Sequence, residues 1–214
     1  MITGYFRVRL ILPEEFGAMD ITNFASAGKS EMPDYSTKIS SKSINTFPYR
    51  KAYVFSDQLS LEGTMNIDSI FTVVKKSVKN VIGRERSGLG LAFSNLPWNL
   101  GAFWQVGGNY IVMNEGLFGS MKELAKSQEE FNSFVYMILT HEYLHSLGFI
   151  DELEARRLTA IVATRTFGTD HIVSKMSTGD IWTLYPDLKY SPSGNGEKLR
   201  FIRDFDSSST SYIT

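Results

Sequence analysis

Apolar and charged positions alternate along residues 4 to 12 (GYFRVRLIL), with Phe6, Val8 and Leu10 set against Arg7 and Arg9, and this period of two predicts a half-buried strand. From Gly17 to about Phe47 large apolar residues are sparse among Ser, Thr, Lys and Gly, so residues 17–47 read as a long loop or insertion. A second strand is expected over 50 to 57 (RKAYVFSD). The period then changes. Ile67, Ile70, Phe71, Val74, Val78 and Val81 recur at helical spacing with Lys75, Lys76 and Lys79 opposite, which predicts a core-packing helix capped by Asn66 or Asp68 and ended at Gly83.

Short apolar runs come next. GLGLAFSNLP (88 to 97) predicts a strand, and AFWQV and NYIVMN on either side of Gly107 and Gly108 predict a hairpin, in a sheet that is mixed or largely antiparallel. A short helix is expected from about Leu117 to Ala125. Ser127 and Glu130 form a capping-box pattern before a long apolar helix, about Gln128 to Leu147, which Gly148 is placed to stop. Asp151 and Glu154 repeat the cap pattern ahead of a helix over about Glu152 to Thr166, with Gly168 as its stop. Ser191 to Gly196 marks a turn between two possible strands, and residues 207–214 read as a flexible tail. These elements predict one α+β domain over residues 1–206.

Composition narrows the chemistry. There are 22 Lys and Arg against 23 Asp and Glu, with no long run of either sign, so neither a nucleic-acid nor an anionic-membrane partner is expected. The chain has no Cys, which excludes disulfides, thiol catalysis and cysteine-based metal sites and leaves His and carboxylates as candidate ligands. Arg7 and Arg9 interrupt the apolar start before signal-peptide or spanning length, so a cytoplasmic location is the expectation. Trp98, Phe103, Trp104 and Tyr110 crowd the hairpin and are expected to serve as core and edge packing.

Only three histidines occur, and two of them belong to His141-Glu142-Tyr143-Leu144-His145, an HExxH motif on a helix. Residues four apart lie one above the other on a helix, so both imidazoles can reach one ion. Glu142 projects beside them, where as general base it can take a proton from water and hand it to a leaving amine. Two His with an oxygen donor and an open position suit catalytic zinc, Zn2+.

The run HEYLHSLGFID (His141 to Asp151) resembles the metzincin signature HExxHxxGxxH, in the variant that ends in Asp. The resemblance implies a zincin-like fold, a zinc-dependent metallopeptidase acting on a peptide or protein substrate, a chain turn at Gly148 and Asp151 as third ligand. It extends more loosely over residues 66–148, where the hairpin's outer strand would be the edge that binds an extended peptide. The family's Met-turn would map to Met176, without the Tyr that follows it in several metzincins. Asp151 has a competing role as N-cap of the next helix. Glu154, on the face of Leu158, Ile161 and Val162, resembles the Glu that gluzincins take from a second helix, and His171 is the remaining imidazole. The candidates for third ligand are therefore Asp151, Glu154 and His171, with water or another group as the remaining alternative, and Tyr185 is a further candidate oxyanion donor. The alternative function is a zinc-stabilised zincin-fold scaffold without peptidase activity, and a coordination shell closed by four protein ligands would distinguish it.

Overall fold

The structure is a computed structural model and describes residues 5–9 and 59–206. The expected loop at 17–47, the strand expected at 50 to 57 and the tail at 207–214 lie outside the described residues. Strand β1 is Tyr5–Arg9 and helix α1 is Ile67–Ile82. Strands β2, Gly90–Ser94, β3, Leu100–Gln105, and β4, Tyr110–Asn114, precede helix α2, Glu115–Leu124. Helices α3, Gln128–Ser146, and α4, Glu152–Phe167, are followed by short helices α5, Ile172–Thr178, and α6, Ile181–Leu184. A 3-10 turn, Pro186–Tyr190, and strand β5, Arg200–Ile202, complete the described chain. The expected turn at 191 to 196 thus connects a 3-10 turn, rather than a strand, to β5.

The five strands form one sheet in the order β1-β3-β4-β2-β5. The β2 and β4 strands run parallel, and the β1/β3, β3/β4 and β2/β5 pairs are antiparallel. Successive strand residues face opposite sides. One side sends Leu91, Phe93, Ala102, Trp104, Ile111 and Met113 into the main core with the helices, and the other turns Ala92, Phe103 and Val112 toward a smaller cluster, which Leu96 and, beyond the register shift against β1, Leu100 complete. The molecule is therefore α+β, with helices packed on a mixed sheet.

Local chemistry accounts for the helix limits. The Asn66 side chain accepts from the Ser69 amide at the start of α1, and Gly83, at φ 78°, ends it in the left-handed conformation that an L side chain resists. Ser127 caps α3 by accepting from the Glu130 amide, 3.1 Å, and the Glu130 carboxylate reaches back to the Lys126 amide. Asn114, 1% exposed, joins β4 to α2: its Oδ1 accepts from the Gly116 amide at 3.0 Å and its Nδ2 donates to the Pro97 and Leu100 carbonyls at 3.0 and 2.9 Å.

Helix α3 is the centre of the molecule. It packs against α1, α2, α4 and α5 and against β1, β3 and β4, and every residue from Phe131 to His145 is buried. Phe134, Val135, Ile138, Leu139 and Leu144 explain that position. Asn132, Thr140, His141, Glu142 and His145 do not, because a buried polar group costs free energy unless it finds a partner. Asn132 finds one, its Nδ2 donating to the Leu61 carbonyl at 2.7 Å and the Gly63 carbonyl at 3.0 Å.

Candidate metal centre

Helix α3 ends in a Schellman motif that turns the chain back toward the helix it has just left. The Gly148 amide donates to the His145 carbonyl at 3.0 Å and the Phe149 amide to the Leu144 carbonyl at 3.2 Å, with Gly148 at φ 98°. The turn brings the Phe149 carbonyl to 2.7 Å from Nδ1 of His145. A carbonyl only accepts, so Nδ1 carries the proton, and in neutral His145 the Nε2 lone pair points away from this bond, toward Glu152. Asp151 then caps α4 by accepting from the Glu154 amide at 2.8 Å, and Glu152 is the first helical residue.

Glu152 is the residue that sequence reasoning missed. Its Oε1 lies 3.4 Å from Nε2 of His141 and its Oε2 lies 3.3 Å from Nε2 of His145. Among the described residues, His141, His145 and Glu152 form the one group of His or carboxylate side chains able to hold a metal ion, with ligand atoms within 4.8 Å of one another. Arg156, one turn along α4, donates from Nε to Oε1 of Glu152 at 2.9 Å.

The structure places the other three candidates for third ligand elsewhere. Asp151 and Glu154 are exposed, the carboxylate of the first committed to the cap. His171 caps α5, with Nδ1 accepting from the Val173 amide at 3.1 Å, Nε2 3.0 Å from a Glu129 oxygen, and its ring against Phe167. Glu129 stands at the opposite end of α3, and at 1.5 Å per residue the twelve residues to His141 span about 18 Å. Tyr185 is at that far end as well, its hydroxyl donating to Glu130 at 2.5 Å. Met176 is a core residue of α5, 2% exposed.

The site holds buried polar atoms that the protein leaves unsatisfied. Nε2 of His141 and both carboxylate oxygens of Glu142 are buried without a hydrogen bond. Two imidazole lone pairs facing a carboxylate repel unless a cation or protons lie between them, and two His with one carboxylate are the donors that catalytic zinc takes, so the residues fit such an ion. Burial pushes the His141 imidazole down, against the attraction of Glu152, which favours the neutral form that binds metal. Burial would raise Glu152, but contact with His141, His145 and Arg156 outweighs it and holds the carboxyl well below its ordinary range. Burial and the neighbouring Glu152 charge push Glu142 far above the ordinary carboxyl range, opposed by the nearby Trp104 backbone amide.

Arg86 clamps the end of α3 to the sheet. Its guanidinium donates to the Ser146 carbonyl at 3.2 Å, the Gly108 carbonyl at 3.1 Å and Oδ1 of Asn109 at 2.7 Å, and lies over the Trp104 ring. The hydroxyl of Tyr143, inside the HExxH motif, accepts from the Arg86 amide at 2.6 Å and donates to its carbonyl at 3.0 Å. The aromatic residues of the hairpin region are packing groups. Trp104 is buried with Nε1 donating to the Gly108 carbonyl, Trp98 meets Trp182 edge-on, Phe103 packs on the smaller cluster, and half-exposed Tyr110 meets Phe201.

The chain matches no protein-family model, and neither the curated proteins nor the solved structures contain a significant match. Among the described residues no helix is long and apolar enough to cross a membrane. What fold and site define together is an α+β protein in which two buried histidines and a partly exposed glutamate form a group able to hold a metal ion.

Proposed function

We propose that this protein is a zinc-dependent metallopeptidase of zincin type, with His141, His145 and Glu152 as metal ligands and Glu142 as general base. One observation carries the reading: two imidazoles and a carboxylate converge beside Glu142, a second carboxylate on the same helix as the imidazoles that is buried without a hydrogen bond. A structural site needs ligands but has no use for an extra acid group, and burying one unpaired costs several kcal/mol in principle. The order of helix, strands, hairpin and HExxH helix, with β3 beside that helix, supports a zincin-like arrangement.

A bound zinc ion supplies Lewis acidity at a substrate carbonyl and lowers the pKa of water from about 16 to about 7. The protein's own residues do the rest. His141 and His145 are held by one rigid helix, and the Phe149 carbonyl sets the His145 tautomer. Glu152 adds a negative charge from a second helix, oriented by Arg156. Glu142 takes the proton of the attacking water and passes it to the leaving amine nitrogen. The Glu152 side chain, 33% exposed where the imidazoles are sealed, marks the side open to solvent.

The test compares cleavage of an unfolded protein library by the zinc-loaded wild type and by Glu142→Gln, with bound metal measured in both. The variant is expected to keep its metal and lose 10²- to 10⁴-fold in rate, the usual contribution of a general base. Equal cleavage by both would sink the mechanism. Metal binding with no cleavage by the wild type would instead establish the scaffold alternative.

A further inference from the structure

The outer edge of β3 is occupied. Strand β1 pairs with it antiparallel from Tyr5 opposite Gln105 to Arg9 opposite Leu100, and among the described residues β3 is the one neighbour β1 has in the sheet. Phe6 stands opposite Trp104, the residue whose backbone amide lies beside the Glu142 carboxylate, so β1 runs one strand spacing, about 4.8 Å, beyond the candidate site's edge. Helix α3 contacts β1 as well as β3. An extended peptide added to the outside of β3 would need the same backbone donors and acceptors that β1 uses.

We propose that residues 5–9 are an intramolecular occupant of the peptide-binding edge, so that the chain restrains its own hydrolytic site and a substrate must displace β1 to pair with β3. The inference rests on the peptidase reading for its functional meaning. The competition itself concerns only the edge. Three features make β1 displaceable. It is five residues long, it has a partner on one side only among the described residues, and its register shifts between Val8 and Arg9, which interrupts the ladder. Backbone pairing is largely indifferent to sequence, so a tethered segment and a free peptide compete for it on concentration. A tethered segment acts at an effective concentration of the order of millimolar, which masks the edge from dilute peptides and yields to abundant or well-fitting ones.

The test uses the full zinc-loaded chain and the double variant Arg7→Pro/Val8→Pro. Successive strand residues direct their N–H groups to opposite edges, so two adjacent prolines must remove one that faces β3. Hydrogen exchange at residues 100–105 is followed with and without a synthetic peptide copying residues 4–12, and hydrolysis of β-casein is measured alongside. In the wild type these amides should be protected and unaffected by peptide. In the variant the amides among them that face β1 should exchange freely while those bonded to β4 stay protected, and the freed amides should regain protection when peptide is added, alongside a rise of about tenfold in kcat/KM with metal content unchanged. The proposal is overturned if a folded variant keeps the β1-facing amides of residues 100–105 protected, if peptide fails to re-protect them, or if casein cleavage is equal and measurable in both chains. Re-protection in the variant alone with no cleavage by either chain would uphold the occupied edge and refute the peptidase reading. Should the double proline prevent folding, Arg7→Gly/Val8→Gly weakens the strand while keeping both amides and is judged by the same criteria.

Discussion

Glu152 reaches the two imidazoles because of the face of α4 on which it stands. The buried stripe of that helix runs through Ala155, Thr159, Val162 and Ala163, and Glu152 lies in line with it, three residues before Ala155. Hydrophobicity points the wrong way here. Leu158 and Ile161 mark out the face of Glu154, yet both are only partly buried, because α4 approaches α3 through its small residues. Neighbouring carboxylates therefore do different work, and substitution should separate them. Asp151→Ala should leave zinc affinity within about threefold and cost about 1 kcal/mol of stability, the usual value of an N-cap, as read from denaturant unfolding. Glu152→Gln should do the reverse. Loss of an outer-shell partner costs 10- to 100-fold in metal affinity, so loss of this ligand should exceed about 100-fold in zinc titration by calorimetry. Equal metal affinities for the two variants would remove Glu152 from the site.

Between elements, the site is the meeting of one helix end, one turn and one hairpin. The Schellman turn at Gly148 reverses the chain so that α4 starts beside the residues with which α3 ends. Arg86 ties Ser146 of α3 to Gly108 and Asn109 of the β3/β4 connection, which joins the end of the HExxH helix to the hairpin. Three hydrogen bonds from a charged donor make this clamp, each worth roughly 1.5 to 3 kcal/mol. The Asn109 bond is exposed and the other two only partly buried, which discounts the sum. Arg86→Met, which keeps the aliphatic stem, should therefore lower unfolding free energy by about 3 kcal/mol, and Arg86→Lys should recover only part because an ammonium cannot reproduce the planar fork. Thermal unfolding at fixed zinc checks both, and an unchanged midpoint in Arg86→Met would show that the clamp contributes nothing. The elements themselves were largely legible in the chain. The caps at Asn66, Ser127 and Asp151 and the stops at Gly83, Gly148 and Gly168 stand where their chemistry implied, since capping depends on residues within one turn. The Arg86 clamp was not legible, because its partners lie 22 to 60 residues away.

Across the fold as a unit, two members of the group able to hold a metal ion sit on the buried central helix and the third on α4, so an ion bound there would make metal binding and folding one equilibrium. An ion that binds only the folded state stabilises it by about 2.7 kcal/mol at a hundred times its dissociation constant, which for a domain of this size is roughly 5 to 10 °C in Tm. Removing metal with a chelator should lower the wild-type Tm by that amount, and adding zinc back should restore it. Glu152→Gln should show little difference between the two conditions. A wild-type Tm indifferent to chelator and to zinc would mean that the group does not hold the ion. The same helix carries both the core and the candidate site, so the metal-dependent change should appear as a shift of the whole cooperative transition.

Short-range features were written in the chain: helices α1 to α4, the caps at Asn66, Ser127 and Asp151, the β2 to β4 strands, and the pairing of His141 with His145 at one turn's spacing beside Glu142. They follow from backbone periodicity and from hydrogen bonds that close within a few residues. Three others arose only on folding. The packed chain chose Glu152 over Asp151, Glu154 and His171 as the third member of the group, buried Glu142 and Nε2 of His141 without hydrogen bonds, and laid β1 along β3. Each of these depends on how close two elements approach and which face they share, and that is settled by side-chain volumes and pairings distant in the chain.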